Sequence, residues 1–227
     1  MSDWINTLLF GIYPYICLSV FLVGNVIRFD REQYSWRSQS SQLLRRRQFM
    51  WGSNLFHIGI LIIFFGHAGG LLTPLWVFES LGISHTAKQM MAIVIGGSAG
   101  LACFAGLVML LHRRLFDARI RKNSSFGDIA VLALLLMQLV LGLGSIFVSL
   151  NHLDGSEMVA LMNWAQHIVT FRPGAAGFVA EVSPIFRVHL VLGLTIVLIF
   201  PFTRLVHILS APIWYLGRRG YQVVRAR

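Results

Sequence analysis

The chain has 227 residues, 56% of them hydrophobic and only 12% charged, a balance that a water-soluble globular domain of this size seldom shows. The formal charge is +10, but the basic residues stand between apolar runs, which argues for membrane topology and against nucleic acid as a partner. Cys17 and Cys103 lie in different apolar runs with no CxxC or CxxCH, so neither a disulfide framework nor covalent c-type haem attachment is signalled.

Crossing about 30 Å of hydrocarbon takes roughly 20 helical residues. Five apolar runs are long enough, at 5–27, 50–72, 88–111, 127–149 and 185–210. The expected fold is therefore all-α, a polytopic bundle of five transmembrane helices forming one domain over 1–227 with a basic C-terminal tail. The start, MSDWINTLLF, lacks a basic n-region and no usual cleavage site follows, so the first run is expected to stay as a helix. Arg28, Arg31, Arg37, Arg45, Arg46 and Arg47 connect runs one and two; Arg113, Arg114, Arg119, Arg121 and Lys122 connect three and four. Arg204, Arg218, Arg219, Arg225 and Arg227 close the chain, which leaves Lys88, Arg172 and Arg187 on the opposite side. By the positive-inside rule the N-terminus is outside and the C-terminus cytoplasmic. In the long outer loop, Ser156 is expected to cap a helix with Met158, Leu161, Ala165 and Ile168 on one face, lying over the outer end of the bundle.

Ionisable side chains inside a bilayer are costly and mark function by default. The nine acidic residues fall in loops or at run ends, so the buried candidates are histidines. His57 and His67 lie on the second run, His189 and His207 on the fifth, whereas His112, beside Arg113 and Arg114, reads as a solvated cytoplasmic end. Runs two and five cross in opposite directions, so His57 shares a depth with His207 near the cytoplasm and His67 with His189 near the outer face. Two imidazoles facing each other across a helix gap suit six-coordinate haem iron, and without CxxCH the haems would be b-type. The ten-residue separation of His57 and His67 rises roughly 15 Å, whereas the eighteen residues from His189 to His207 would rise roughly 27 Å in an ideal helix. A bend near Pro201 is one way to absorb the mismatch.

Gly59, Gly66, Gly69, Gly70 and Gly193 would admit a macrocycle to the backbone, though small residues also serve helix packing. Arg204 and Arg187 are candidate propionate partners, with interfacial anchoring as the equal alternative. Lys88 reads first as a snorkelling anchor.

The stretches IYPYI (12–16), SNLFHIGIL (53–61), GH (66–67), LTP (72–74), HLDGSEM (152–158), FRVHLVLG (186–193) and FPFTRLVHI (200–208) together carry a resemblance over nearly the full length. The chain resembles the gamma subunit, a dihaem cytochrome b, of membrane-bound respiratory nitrate reductase. The resemblance implies that His57 and His207 bind the iron of a proximal haem b and His67 and His189 that of a distal one. It also implies quinol as substrate, at a site that includes Gly66, His67 and Lys88. It further implies an iron-sulfur subunit and a molybdenum catalytic subunit as cytoplasmic partners, and a place in the bacterial cytoplasmic (inner) membrane. Two other readings stay open: a quinone-linked cytochrome b of another respiratory reductase, and a non-redox membrane transporter with histidines along a metal or proton path.

Overall fold

The computed structural model describes residues 3–36, 44–151, 153–210 and Gly217. Arg37, His152, Arg218, Arg219, Arg225 and Arg227, and with them the basic tail, lie outside the described residues. Among the described residues the α-helical segments are, in order, α1 (Asp3–Arg31, with a π turn over Leu8–Ile12), α2 (Arg46–Leu72), α3 (Leu75–Ser80), α4 (His85–Phe116), α5 (Ala118–Lys122), α6 (Phe126–Asn151), α7 (Ser156–Val169) and α8 (Pro184–Ile199). α1, α2, α4, α6 and α8, the last with its continuation to Phe202, are long and apolar enough to cross a membrane. Among the described residues there is no strand, as expected where every backbone group must be satisfied within a helix.

Local chemistry sets the ends of these helices. α2 stops at Leu72 because Pro74 pushes Thr73 into an extended conformation. Ser84 caps α4 by accepting from the Ala87 N–H at 3.1 Å, and Asp117 caps α5 by accepting from Arg119 at 3.0 Å and Ile120 at 3.1 Å. Ser125 and Asp128 make a reciprocal pair at the start of α6, each side chain accepting from the other's backbone N–H at 3.1 Å. The helix expected from Ser156 is present, but Ser156 is its first residue and not its cap: Gly155 takes that position with φ of 76°, a left-handed conformation that glycine tolerates.

α2 packs closely on α4, α4 on α6, α6 on α8, and α8 on α1. The α2–α4 contact depends on missing side chains. A Cβ on Gly59 would come within 2.6 Å of the Ala99 carbonyl oxygen, and one on Gly106 within 2.4 Å of the Phe56 nitrogen. Gly59 therefore serves packing, and a Cβ on Gly193 would likewise stand 3.1 Å from the Gln138 amide nitrogen.

α7 closes one end of the bundle. Its buried Trp164, Ala165 and Ile168 join Phe10 of α1 with Ala175, Ala176, Val179 and Val182 in one apolar cluster. Pro14 has no N–H for the Phe10 carbonyl four residues back, and the Trp164 indole donates to that oxygen at 2.9 Å. Gln166 donates to the Leu71 and Thr73 carbonyls, both at 3.1 Å, so the roof also holds the end of α2. Away from this cluster the spans expose Leu22, Val26, Phe64, Phe65, Val94, Leu101 and Phe147, the lipid-facing pattern of a membrane bundle.

Candidate functional site

The four span histidines meet two by two. His57 and His207 have ring centroids 6.5 Å apart with planes at 72°, and His67 and His189 have centroids 6.3 Å apart with planes at 39°. The pairing follows the expected depths, but the fifth span is not one helix over 185–210. Its α-helix ends at Ile199, a 3-10 turn covers Phe200–Phe202, Thr203 is extended, and a second 3-10 turn, Arg204–Ile208, carries His207. Pro201 cannot donate within the helix, so the ladder fails where the bend was expected and the 18-residue helical rise does not apply.

These side chains fit the group that the sequence suggests. A metal–imidazole bond of about 2 Å places the metal roughly 3 Å from a ring centre, so two rings sharing one metal have centres about 6 Å apart. Nδ1 of His57, His67 and His207 lies 2.7, 2.8 and 2.6 Å from the carbonyls of Ser53, Ile63 and Arg204. A carbonyl can only accept, so Nδ1 carries the proton in each, which leaves Nε2 as the nitrogen with a lone pair to offer a metal. His189 differs: its Nδ1 is buried without a partner and its Nε2 lies 3.3 Å from the Gln138 amide. A Cβ on Gly66, Gly69 or Gly70 would meet no protein atom within 4 Å, so these three glycines, unlike Gly59 and Gly193, border open space beside His67.

Lys88 is not a snorkelling anchor. It is 7% exposed, and its ammonium turns inward to donate to the Gly70 carbonyl at 2.9 Å and Met162 Sδ at 2.7 Å, 3.8 Å from the Phe78 ring centre. Gly70 is one turn beyond His67, so α4 places a cation beside the roofed histidine pair. Lys88 is thereby tied to Gly70 on α2 and to Met162 on α7. Arg187 donates to the Ala180 carbonyl at 3.4 Å.

The opposite end carries the basic connections and is not uniformly solvated. His112 is exposed, but Arg113 and Arg114 are 2% and 6% exposed. Asp128 is 3% exposed and lies 3.6 Å from Arg114 and 3.4 Å from Arg204, so an acid expected at a span end is a buried counter-ion. Arg204, expected near a propionate, is engaged by this carboxylate.

The nitrate reductase gamma subunit family matches residues 6–227. The chain belongs to that family. It is 51% identical to the respiratory nitrate reductase 1 gamma chain of Escherichia coli strain K12, over 99% of both chains. It is 42% identical to the nitrate reductase gamma chain of Bacillus subtilis strain 168, over 97% of this chain and 98% of that one. A more distant relative, the Hdr-like menaquinol oxidoreductase cytochrome b-like subunit of Archaeoglobus fulgidus, is 30% identical over 67% of this chain and 45% of its own length.

As a nitrate reductase gamma subunit the chain is a multi-pass, haem-containing membrane component of an oxidoreductase complex that includes catalytic and other subunits. Two polar residues of this gamma subunit escaped the sequence reading. Gln138 was legible as a lone amide inside an apolar run, and Asp128 through the Ser-x-x-Asp spacing that marks a helix start.

Proposed function

We propose that this gamma subunit oxidises quinol under α7 and passes the electrons through two b haems to an iron-sulfur subunit at the basic end. The observation that carries the reading is the pair of imidazole couples at 6.3 and 6.5 Å, one at each end of the same helix gap. His67 and His189 would hold the distal haem, and His57 and His207 the proximal one. When bound, the two haems supply a one-electron path through the apolar interior.

Quinol losing two electrons must also lose two protons to become quinone. Gly66 and His67 line the proposed quinol site, and Lys88 brings a cationic donor to it. The Archaeoglobus relative is named as a menaquinol oxidoreductase subunit, which supports a quinol as the reductant here. The surplus of Arg on the connections of α1–α2 and α4–α6 supports the orientation with the N-terminus outside, in a bacterial cytoplasmic membrane. Protons are then released outside while electrons move inward, which builds membrane potential. Nitrate is reduced on a molybdenum subunit reached through the iron-sulfur subunit. The chain acts as a single domain over 1–227.

The deciding experiment is an optical redox spectrum with haem quantitation on the purified complex. Two b haems per gamma subunit, both reduced by quinol, are expected; one haem, or none, overturns the reading. Proteoliposomes of known orientation test sidedness: proton release on the cytoplasmic side during quinol oxidation would contradict it.

A further inference from the structure

The segment that carries His207 has little helical structure of its own to fix it. Beyond Ile199 the chain runs through two short 3-10 turns separated by extended Thr203, and such a break leaves carbonyls that no helix ladder satisfies. At membrane depth these carbonyls need partners from elsewhere in the protein. Arg28, on the last turn of α1, supplies them: Nη1 donates to the Pro201 carbonyl at 2.6 Å and to the Thr203 carbonyl at 2.8 Å. The other edge of the guanidinium is braced by Ser35, with Nη2 donating to its carbonyl at 3.1 Å and Nε to its hydroxyl at 3.3 Å. α1 also comes unusually close to the break, since a Cβ on Gly24 would stand 2.9 Å from the Pro201 ring. Thr203 Oγ1 in turn accepts from the Leu205 N–H at 3.2 Å, and the Arg204 carbonyl fixes the His207 ring at 2.6 Å. A continuous chain of contacts thus joins Arg28 to the imidazole that faces His57.

We propose that Arg28 is a positioning residue for His207, setting the angle at which its ring meets iron by clamping the Pro201–Thr203 carbonyls. This assigns the arginine a task beyond its charge at the membrane surface. The geometry requires a guanidinium: four acceptor contacts lie in two directions from one planar group, and the single ammonium of lysine cannot span them. The proposal rests on the reading of His207 as a ligand of the proximal haem.

The test uses the assembled complex in membranes, with Arg28→Met, Arg28→Lys and Ser35→Ala beside His207→Ala and His67→Ala, which assign the two haem signals. Electron paramagnetic resonance of the oxidised haems reads axial-ring orientation directly, and redox titration reads each potential. Arg28→Met is expected to shift or broaden the proximal signal and leave the distal one in place. Arg28→Lys should move the same signal less, and Ser35→Ala least. An unchanged proximal signal in both Arg28 variants overturns the proposal, as does an equal disturbance of both haems, which would mean a general folding role. If Arg28→Met does not assemble, Arg28→Lys decides by the same criterion. Retention of both haems in His207→Ala overturns the proposal by a different route, since it removes the ligand assignment on which the proposal rests.

Discussion

The two ends of the bundle hold an imidazole pair by different physical means. Under α7 both histidines stand on regular helix, at the end of the bundle that holds the apolar roof cluster, one inward lysine and a Trp164 hydrogen bond to a proline-orphaned carbonyl. At the basic end one histidine rides on a broken segment, held by the Arg28 guanidinium on two backbone carbonyls and by a buried carboxylate between two arginines. The difference teaches that geometry alone does not reveal how a ligand is secured. Regular helix and roof packing carry the first pair, whereas hydrogen bonds and charge hold the broken segment that carries His207, so the two should fail in different ways.

The largest effects belong to the rings themselves. Replacing His67 or His189 by alanine should remove the distal haem and with it quinol oxidation, while His57→Ala or His207→Ala should remove the proximal haem and stop electron exit; haem-specific spectra check each. Retention of both signals in any one variant refutes that assignment. Next comes Asp128→Ala, which leaves the buried Arg114 and Arg204 without this counter-charge and should destabilise the basic end by about 3–5 kcal/mol. Unfolding of the detergent-solubilised complex measures it, and a loss below about 1 kcal/mol would show that water already screens the cluster.

At the roofed end, Trp164→Phe keeps the apolar ring but strands the Phe10 carbonyl, for about 1–3 kcal/mol. A glycine pair sharpens the same contrast. Gly59→Ala pushes a methyl into the Ala99 carbonyl and should cost about 1–3 kcal/mol in the unfolding assay. Gly69→Ala meets no protein atom, so it should leave unfolding unchanged and appear only in the distal haem spectrum. Equal thermal losses in the two variants would mean that Gly69, too, faces protein.

The spans were legible because hydrophobic length is a one-dimensional property, and the histidine couples because alternating helix direction converts sequence position into depth. What sequence could not supply was contact. Arg28 reads as one more basic residue at a span end, and only the fold places its guanidinium on Pro201 and Thr203. Asp128 reads as a surface acid because its partners come from a helix before it and a turn more than seventy residues after it. Pro201 announced a bend, but that the α-helix ends at Ile199 and resumes only as 3-10 turns depends on α1 being present to satisfy the freed carbonyls. Lys88 misled in the other direction, since a lysine at a span end ordinarily reaches for water, and here the aromatic ring of Phe78, the Met162 sulfur and a spare carbonyl offer it a place inside.

The smallest effect lies outside the spans, at the cap of α5. The Ile120 and Arg119 backbone N–H groups, with the Arg45 guanidinium at 2.6 Å, hold the Asp117 carboxyl below the usual carboxylate range. A carboxyl whose folded value is depressed adds stability above its unfolded value, near 4, and loses it as pH falls through the folded value. The wild type should therefore lose thermal stability slightly faster than Asp117→Asn as pH drops below about 4, because asparagine caps without titrating. Asp117→Ala should lower the midpoint at neutral pH as well. Parallel acid profiles for wild type and Asp117→Asn would mean that the Asp117 charge and its Arg45 contact contribute nothing measurable, leaving charge stabilisation of the basic end to the buried Asp128 with Arg114 and Arg204.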